Sequence, residues 1–161
     1  MLGNQGLTAA KFDANVRAVR GTIMSLPSVN TSSESDFYVG LPTGSNVKAL
    51  GVLMQDVVEP GNTITSETDP STVTGTTPPA PFLSNGRAWA LCTLASEVEA
   101  IAADTTFAAE DLLIIADVYG RVTKCPATVG TTYYVVGAAK YAAAAANQRV
   151  RIAFDPFVYK A

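Results

Sequence analysis

The clearest pattern in the chain is a two-residue alternation near its C-terminal end. From Arg149 to Phe154, Val150, Ile152 and Phe154 fall on one side, and Arg149, Arg151 and Ala153 on the other. That is the signature of a strand with one buried face. Upstream, Leu112 to Ile115 is a short apolar run. Asp117 to Gly120 places Asp first and Gly fourth, as a type I turn prefers, and Arg121 to Cys125 returns, so a hairpin is predicted. Tyr133 to Val136 is aromatic and β-branched and predicts another strand. The stretch from Asp111 to Phe157 therefore reads as a compact β unit.

A weaker copy of this pattern precedes it. Val47 to Asp56 reads VKALGVLMQD and Arg87 to Leu94 reads RAWALCTL; beside YYVVGAAKY and RVRIAF, each is strand, Gly, strand, interruption, Arg, strand. Gly51 and Gly137 hold equivalent places, and a Gly inside a strand marks a bulge or bend where a sheet curls. The expected fold is mainly β, a small curled β-barrel or sandwich, formed as a single domain over residues 24–161. Phe37 to Val39 adds a short strand. Ala95 to Glu110 matches neither period well and is read as strand through Val98 and Ile101 with a turn at Asp104.

Two segments stand apart from the β unit. In residues 1–23, Phe12, Val16, Val19 and Ile23 recur at helical spacing, with Thr8 placed to cap the start and Gly21 the end. This predicts an N-terminal arm or short amphipathic helix, which either packs on its own barrel or orders on a neighbouring subunit. Residues 25–36 read as a polar loop. From Pro60 to Gly86 the chain carries seven Thr and five Pro, a composition that cannot sustain a ladder, so a long extended surface loop is expected. Such a loop is either a tolerated insertion or a strand-like arm lying on another protein. Ala142 to Ala146 is too short to hold a helix alone and predicts one helical turn or a close-packed crossing.

Composition narrows the function. The 161 residues, 48% hydrophobic, suffice for one core. The net charge is -3 and the 11 Lys and Arg are scattered, which argues against a nucleic-acid partner. No run reaches membrane-spanning length, and the opening MLGNQGLTAAKF shows no basic-then-apolar leader, so neither membrane nor secretion is expected. Cys92 and Cys125 read as small buried hydrophobes; a disulfide would need their strands to be neighbours.

The chain has no His, which removes the commonest general base and zinc ligand together. Its acid pairs, Asp56 with Glu59, Glu67 with Asp69, Glu97 with Glu99, and Glu110 with Asp111, sit at strand ends or in polar loops and read as solvated faces. The calcium-loop spacing and the Gly-rich phosphate cradle are both missing, so no catalysis, metal or cofactor is expected. The chain reads as one that works by surface and shape.

The turn closing in Gly-Arg-Val (Gly120 to Val122), the Val-Gly-Ala element (Val136 to Ala138), the Ala-rich stretch and the final Arg-Val-Arg-Ile strand (Arg149 to Ile152) together resemble small bacteriophage head decoration proteins, also called capsid cement proteins. ALGVLMQDVVEPG is similar to that family's earlier Gly-Val strand and acidic, Gly-ended turn, so the resemblance covers about Val47 to Phe154. It implies a β-rich virion protein, made in the host cytoplasm, that binds the outside of the mature head as a homo-oligomer, commonly a trimer, and clamps adjacent major capsid protein subunits. It implies no catalytic residues. The N-terminal segment and the Thr/Pro loop depart from the shorter members. The expected partner interface lies in these two arms, at Leu2, Leu7, Phe12, Val16 and Val19, and at Ile64, Thr65, Val73 and Thr74. A rival reading is a phage tail fibre or adhesion module that stacks a host glycan on exposed Tyr and Trp.

Overall fold

The computed structural model describes residues 6–12, 18–26, 38–56, 63–64, 73–74 and 89–161. Among them every regular element is a strand. In order these are β1 (Gly6–Phe12), β2 (Ile23–Ser25), β3 (Tyr38–Val39), β4 (Ala49–Leu53), β5 (Thr63–Ile64), β6 (Val73–Thr74), β7 (Trp89–Ile101), β8 (Leu112–Ile115), β9 (Val122–Lys124), β10 (Thr132–Ala139) and β11 (Arg149–Lys160). The main sheet runs β2-β4-β7-β11-β10-β8-β9, with every neighbour on that path antiparallel. β5 and β6 form a separate two-stranded sheet.

The order is nearly palindromic. β4 lies between β2 and β7 as β10 lies between β8 and β11, and β7 meets β11 in the middle. Gly51 stands opposite Met24 of β2, and Gly137 opposite Leu113 of β8, so the two glycines occupy matching places in the two halves. Gly137 sits at a bulge, and a methyl added there would run into the Ala153 carbonyl. The bulge changes which residues point inward. Tyr133 and Val135 serve an outer cluster with Ile114 and Cys125, while Val136 and Ala139 face the main core with Ile152 and Phe154.

The sheet curls until its ends almost meet, giving a small, nearly closed barrel. The Ile23 N–H donates to the Gly120 carbonyl at 2.9 Å, Ala102 bridges Val122, and the Ala103 N–H donates to the Val122 carbonyl at 2.8 Å. Gly120 has φ +70° and lies against Thr22 and Ile23, a place where only a residue without Cβ fits. Inside, Val150, Ile152 and Phe154 are buried as their alternation requires. The β8–β9 hairpin forms as expected: Asp117 Oδ1 accepts from the Tyr119 N–H at 2.9 Å, which fixes the turn.

Several expectations change. Residues 6–12 form a strand, not the start of a helix, because the edge of β7 offers them a ladder from Gly6↔Leu94 to Ala10↔Trp89. Residues 18–25 continue as a bridge and a strand, with Ala18 and Val19 in the core. The Ala-rich stretch forms bends and a turn instead of a helical turn. Gln148 Oε1 accepts the N–H groups of Ala144 and Ala145 at 2.8 and 3.0 Å, and Ala143 packs into the core. β11 also runs on to Lys160, six residues past the alternation, straight through Pro156.

Candidate interaction surface

Most of the described charged groups are paired with one another or with backbone and hydroxyl groups. Glu97 pairs with Arg151, and Glu99 lies 3.2 Å from Arg20 and 3.9 Å from Arg149. Asp111 meets Lys124 at 3.0 Å, Asp117 meets Arg121 at 2.7 Å, and Asp56 accepts the Arg20 N–H at 2.7 Å. Asp104 accepts the hydroxyls of Thr106 and Thr123, each at 2.7 Å. Burial alone would raise its pKa, but these bonds, the Thr106 N–H and the nearby Arg121 charge hold it below the ordinary 3.8. Burial pushes the Cys92 thiol up, opposed by a hydrogen bond with the Leu94 backbone. Cys92, in β7, and Cys125, just after β9, are both free and buried, as expected of small hydrophobes, and they belong to different clusters. Among the described residues no group of His, Cys, Asp or Glu is placed to hold a metal ion.

The residues expected at a partner interface fall, where described, on different elements. Leu7 lies in β1 and is 60% exposed, beside Leu94 at 48%. Phe12 closes β1, where its backbone pairs with Val39 of β3. Val19 is wholly buried, so its place is the chain's own core and not a partner surface. Ile64 pairs with Val73 and Thr63 with Thr74, so the Thr/Pro loop contributes at least one short ladder. Leu2, Val16 and Thr65 lie outside the described residues.

A different surface emerges where β10 and β11 run past the barrel as a two-stranded ribbon. Tyr134 stands opposite Val158 and Val135 opposite Phe157. Tyr134 and Val158 share one face and are 38% and 63% exposed, although both are large and apolar, while Phe157, 43% exposed, lies on the other face opposite Val135. The other side of the ribbon is covered, since Tyr133 and Val135 are buried in the outer cluster and Tyr159 packs against it. The signal for this surface was present in the sequence. Phe157-Val158-Tyr159 is a run of β-formers, and a Pro within such a run marks an edge strand.

One edge of the ribbon is closed by a side chain. Asn46, at φ +52° in the loop before β4, donates from Nδ2 to the Thr132 carbonyl at 3.0 Å and accepts at Oδ1 from the Tyr134 N–H at 2.8 Å. Its own N–H donates to the Ile115 carbonyl at 2.9 Å. The amide thus occupies the place of the next strand's peptide group. Compared with known proteins, the chain matches no family model and no curated sequence.

Proposed function

We propose that this chain is a capsid decoration, or cement, protein of a bacteriophage head, which binds the outer surface of the mature shell and bridges adjacent major capsid protein subunits. One observation carries the reading: the residues on which the resemblance rests coincide with the joints of the barrel. Gly120 to Val122 is where the sheet closes, Val136 to Ala138 contains the bulge that divides inner from outer packing, and Arg149 to Ile152 is the core strand that joins the two halves. The residues that carry the resemblance are thus ones that shape this barrel. The engagement of most described carboxylates with cations, hydroxyls and backbone N–H groups fits a chain that acts by surface and shape.

The mechanism is thermodynamic. A protein that binds only the assembled lattice stabilises it by mass action, about 2.7 kcal/mol per site at a hundredfold excess over Kd. Contact with several capsid subunits at once adds avidity without new contact types. A standard specific interface buries about 1,600 Å² in total, so exposed strands such as β1 would add to what one face of the barrel supplies.

The test is co-sedimentation of the purified chain with undecorated phage heads. Saturable binding at a fixed ratio to the capsid protein supports the cement role, and a ratio of one copy per capsid subunit fits trimers at three-fold positions. Absence of binding at saturating concentration refutes it.

A further inference from the structure

The Ala-rich connection from β10 to β11 frames a cleft of about 330 Å³, with Tyr141 and Ala142 on one side and Gln148 to Arg151 on the other. Tyr141 is 61% exposed and is the most exposed aromatic among the described residues. Ala142 beside it adds little bulk to fill the space. The volume lies near the lower bound of small-ligand sites, about 300–1,000 Å³, so the cleft suits a single small ring.

Its walls are tied down from several elements. The Lys140 N–H donates to the Arg151 carbonyl at 2.9 Å, which sets Tyr141 beside the start of β11. Gln148 Oε1 accepts the Ala144 and Ala145 N–H groups, and its carbonyl accepts the Ala102 N–H at 2.9 Å. Asn147, at φ +60°, donates its N–H to the Ala102 carbonyl at 2.8 Å and accepts from Arg121 Nη1 at 2.6 Å. Arg149 is mostly covered and donates to the Arg20 carbonyl at 2.8 Å. A ligand therefore meets a formed site and pays little to order it.

We propose that this cleft binds the ring of a neutral pyranose sugar. Such a ring has an apolar C–H face, which packs on the Tyr141 ring, and hydroxyl groups that both donate and accept. The Arg151–Glu97 pair offers both functions side by side. Arg151 Nη1 meets Glu97 Oε1, so Glu97 Oε2 can accept from one hydroxyl while the remaining guanidinium N–H groups donate to its neighbour. Gln148 commits its oxygen to the loop and keeps its NH₂ end as a further donor.

An anionic ligand fits less well. Arg151 already faces Glu97, and Arg149 lies 3.9 Å from Glu99, so a phosphate would have to displace or approach a carboxylate. Neutral hydroxyls join these pairs without breaking them. The inference does not rest on the decoration role or on the oligomeric state. On a particle that carries many copies, weak single sites combine into avid attachment to a polysaccharide.

The test is a titration of the ¹⁵N-labelled full chain, followed by amide shifts, with methyl α-glucopyranoside, methyl β-galactopyranoside and N-acetylglucosamine, each to about 100 mM. At least one should give saturable shifts centred on residues 140–151, with Kd of about 1–10 mM. Tyr141→Ala should weaken binding at least tenfold with an unchanged thermal unfolding midpoint, because the side chain is exposed, and Tyr141→Phe should keep it within about twofold. Inorganic phosphate should leave these amides unmoved. Absence of saturable shifts with all three sugars, shifts that Tyr141→Ala leaves intact, or tighter binding of phosphate than of any sugar overturns the proposal.

Discussion

Closure of the barrel at Gly120 can be measured by comparing two glycines. Both Gly120 and Gly130 have positive φ, +70° and +83°, so Ala at either carries a conformational penalty of about 1 kcal/mol. Their surroundings differ. A Cβ on Gly130 meets nothing within 4 Å, whereas one on Gly120 would lie 2.7 Å from Thr22 Cγ2 and 2.9 Å from the Ile23 nitrogen, and closer still to the Ile23 carbonyl.

Thr22 and Ile23 are fully buried, so neither can swing away. Forcing them apart costs about 1–3 kcal/mol as overpacking. It also stretches the 2.9 Å bond from Ile23 to Gly120, which leaves a buried N–H short of its acceptor at a cost of about 1–3 kcal/mol. Gly120→Ala should therefore lose about 3–7 kcal/mol and Gly130→Ala about 1 kcal/mol. At about 2–4 °C per kcal/mol for a domain of this size, the first change lowers Tm by at least about 6 °C and the second by about 2–4 °C. Urea unfolding analysed with a common slope gives both values. A difference below about 0.5 kcal/mol would refute the reasoning, because the sheet ends would then not be in tight contact.

Three further expectations are open to measurement. Asn46→Gly tolerates the positive φ but removes the amide from the edge of β10, and should cost about 1–3 kcal/mol in urea unfolding; a loss within error would mean that water replaces the amide without penalty. Asp104 is held below the ordinary 3.8, so its contribution is complete above that value and disappears as pH falls through the lower folded value. Unfolding curves of wild type and Asp104→Asn should thus differ by a constant amount from pH 7 to 5 and converge below about pH 4, and a constant gap down to pH 2 would contradict the assignment. Removal of residues 1–12 takes away β1 while sparing Ala18 and Val19, so the barrel should still unfold cooperatively; if β1 is an arm for the capsid, binding to heads should drop at least tenfold, and retained binding would exclude that role.

Local chemistry made the second half of the barrel legible. Asp117 and Gly120 announce their turn, and the alternation of Val150, Ile152 and Phe154 declares the buried face directly. Gly51 and Gly137 marked the two strands that curl. What the sequence hid depends on partners distant along the chain. The segment GLTAAKF has weak preferences of its own, and the waiting edge of β7 decides its form. The alternation was read only as far as Phe154, yet β11 continues, because the missing N–H of Pro156 falls on the side facing away from β10, where it interrupts no ladder bond. Asn46 carries no local signal in the sequence, because its role rests on backbone groups 86 and 88 positions later.

The meeting of β7 with β11 also governs when the chain can fold. Ile101 pairs with Arg149 and Ala95 with Phe154, partners 48 and 59 positions apart, whereas β8 with β9 and β10 with β11 are joined by short loops. During synthesis β2, β4 and β7 leave the ribosome before the strands that complete their sheet exist. The later hairpins close locally and rapidly, on a scale of about microseconds, while the long-range docking of β7 and the final contact with Gly120 wait for loop closure over most of the chain. Topologies of this kind fold in about milliseconds to seconds. The last-made third of the protein is thus the template on which the first-made strands assemble, and a chain truncated before β11 would keep β7 unpaired along its C-terminal half.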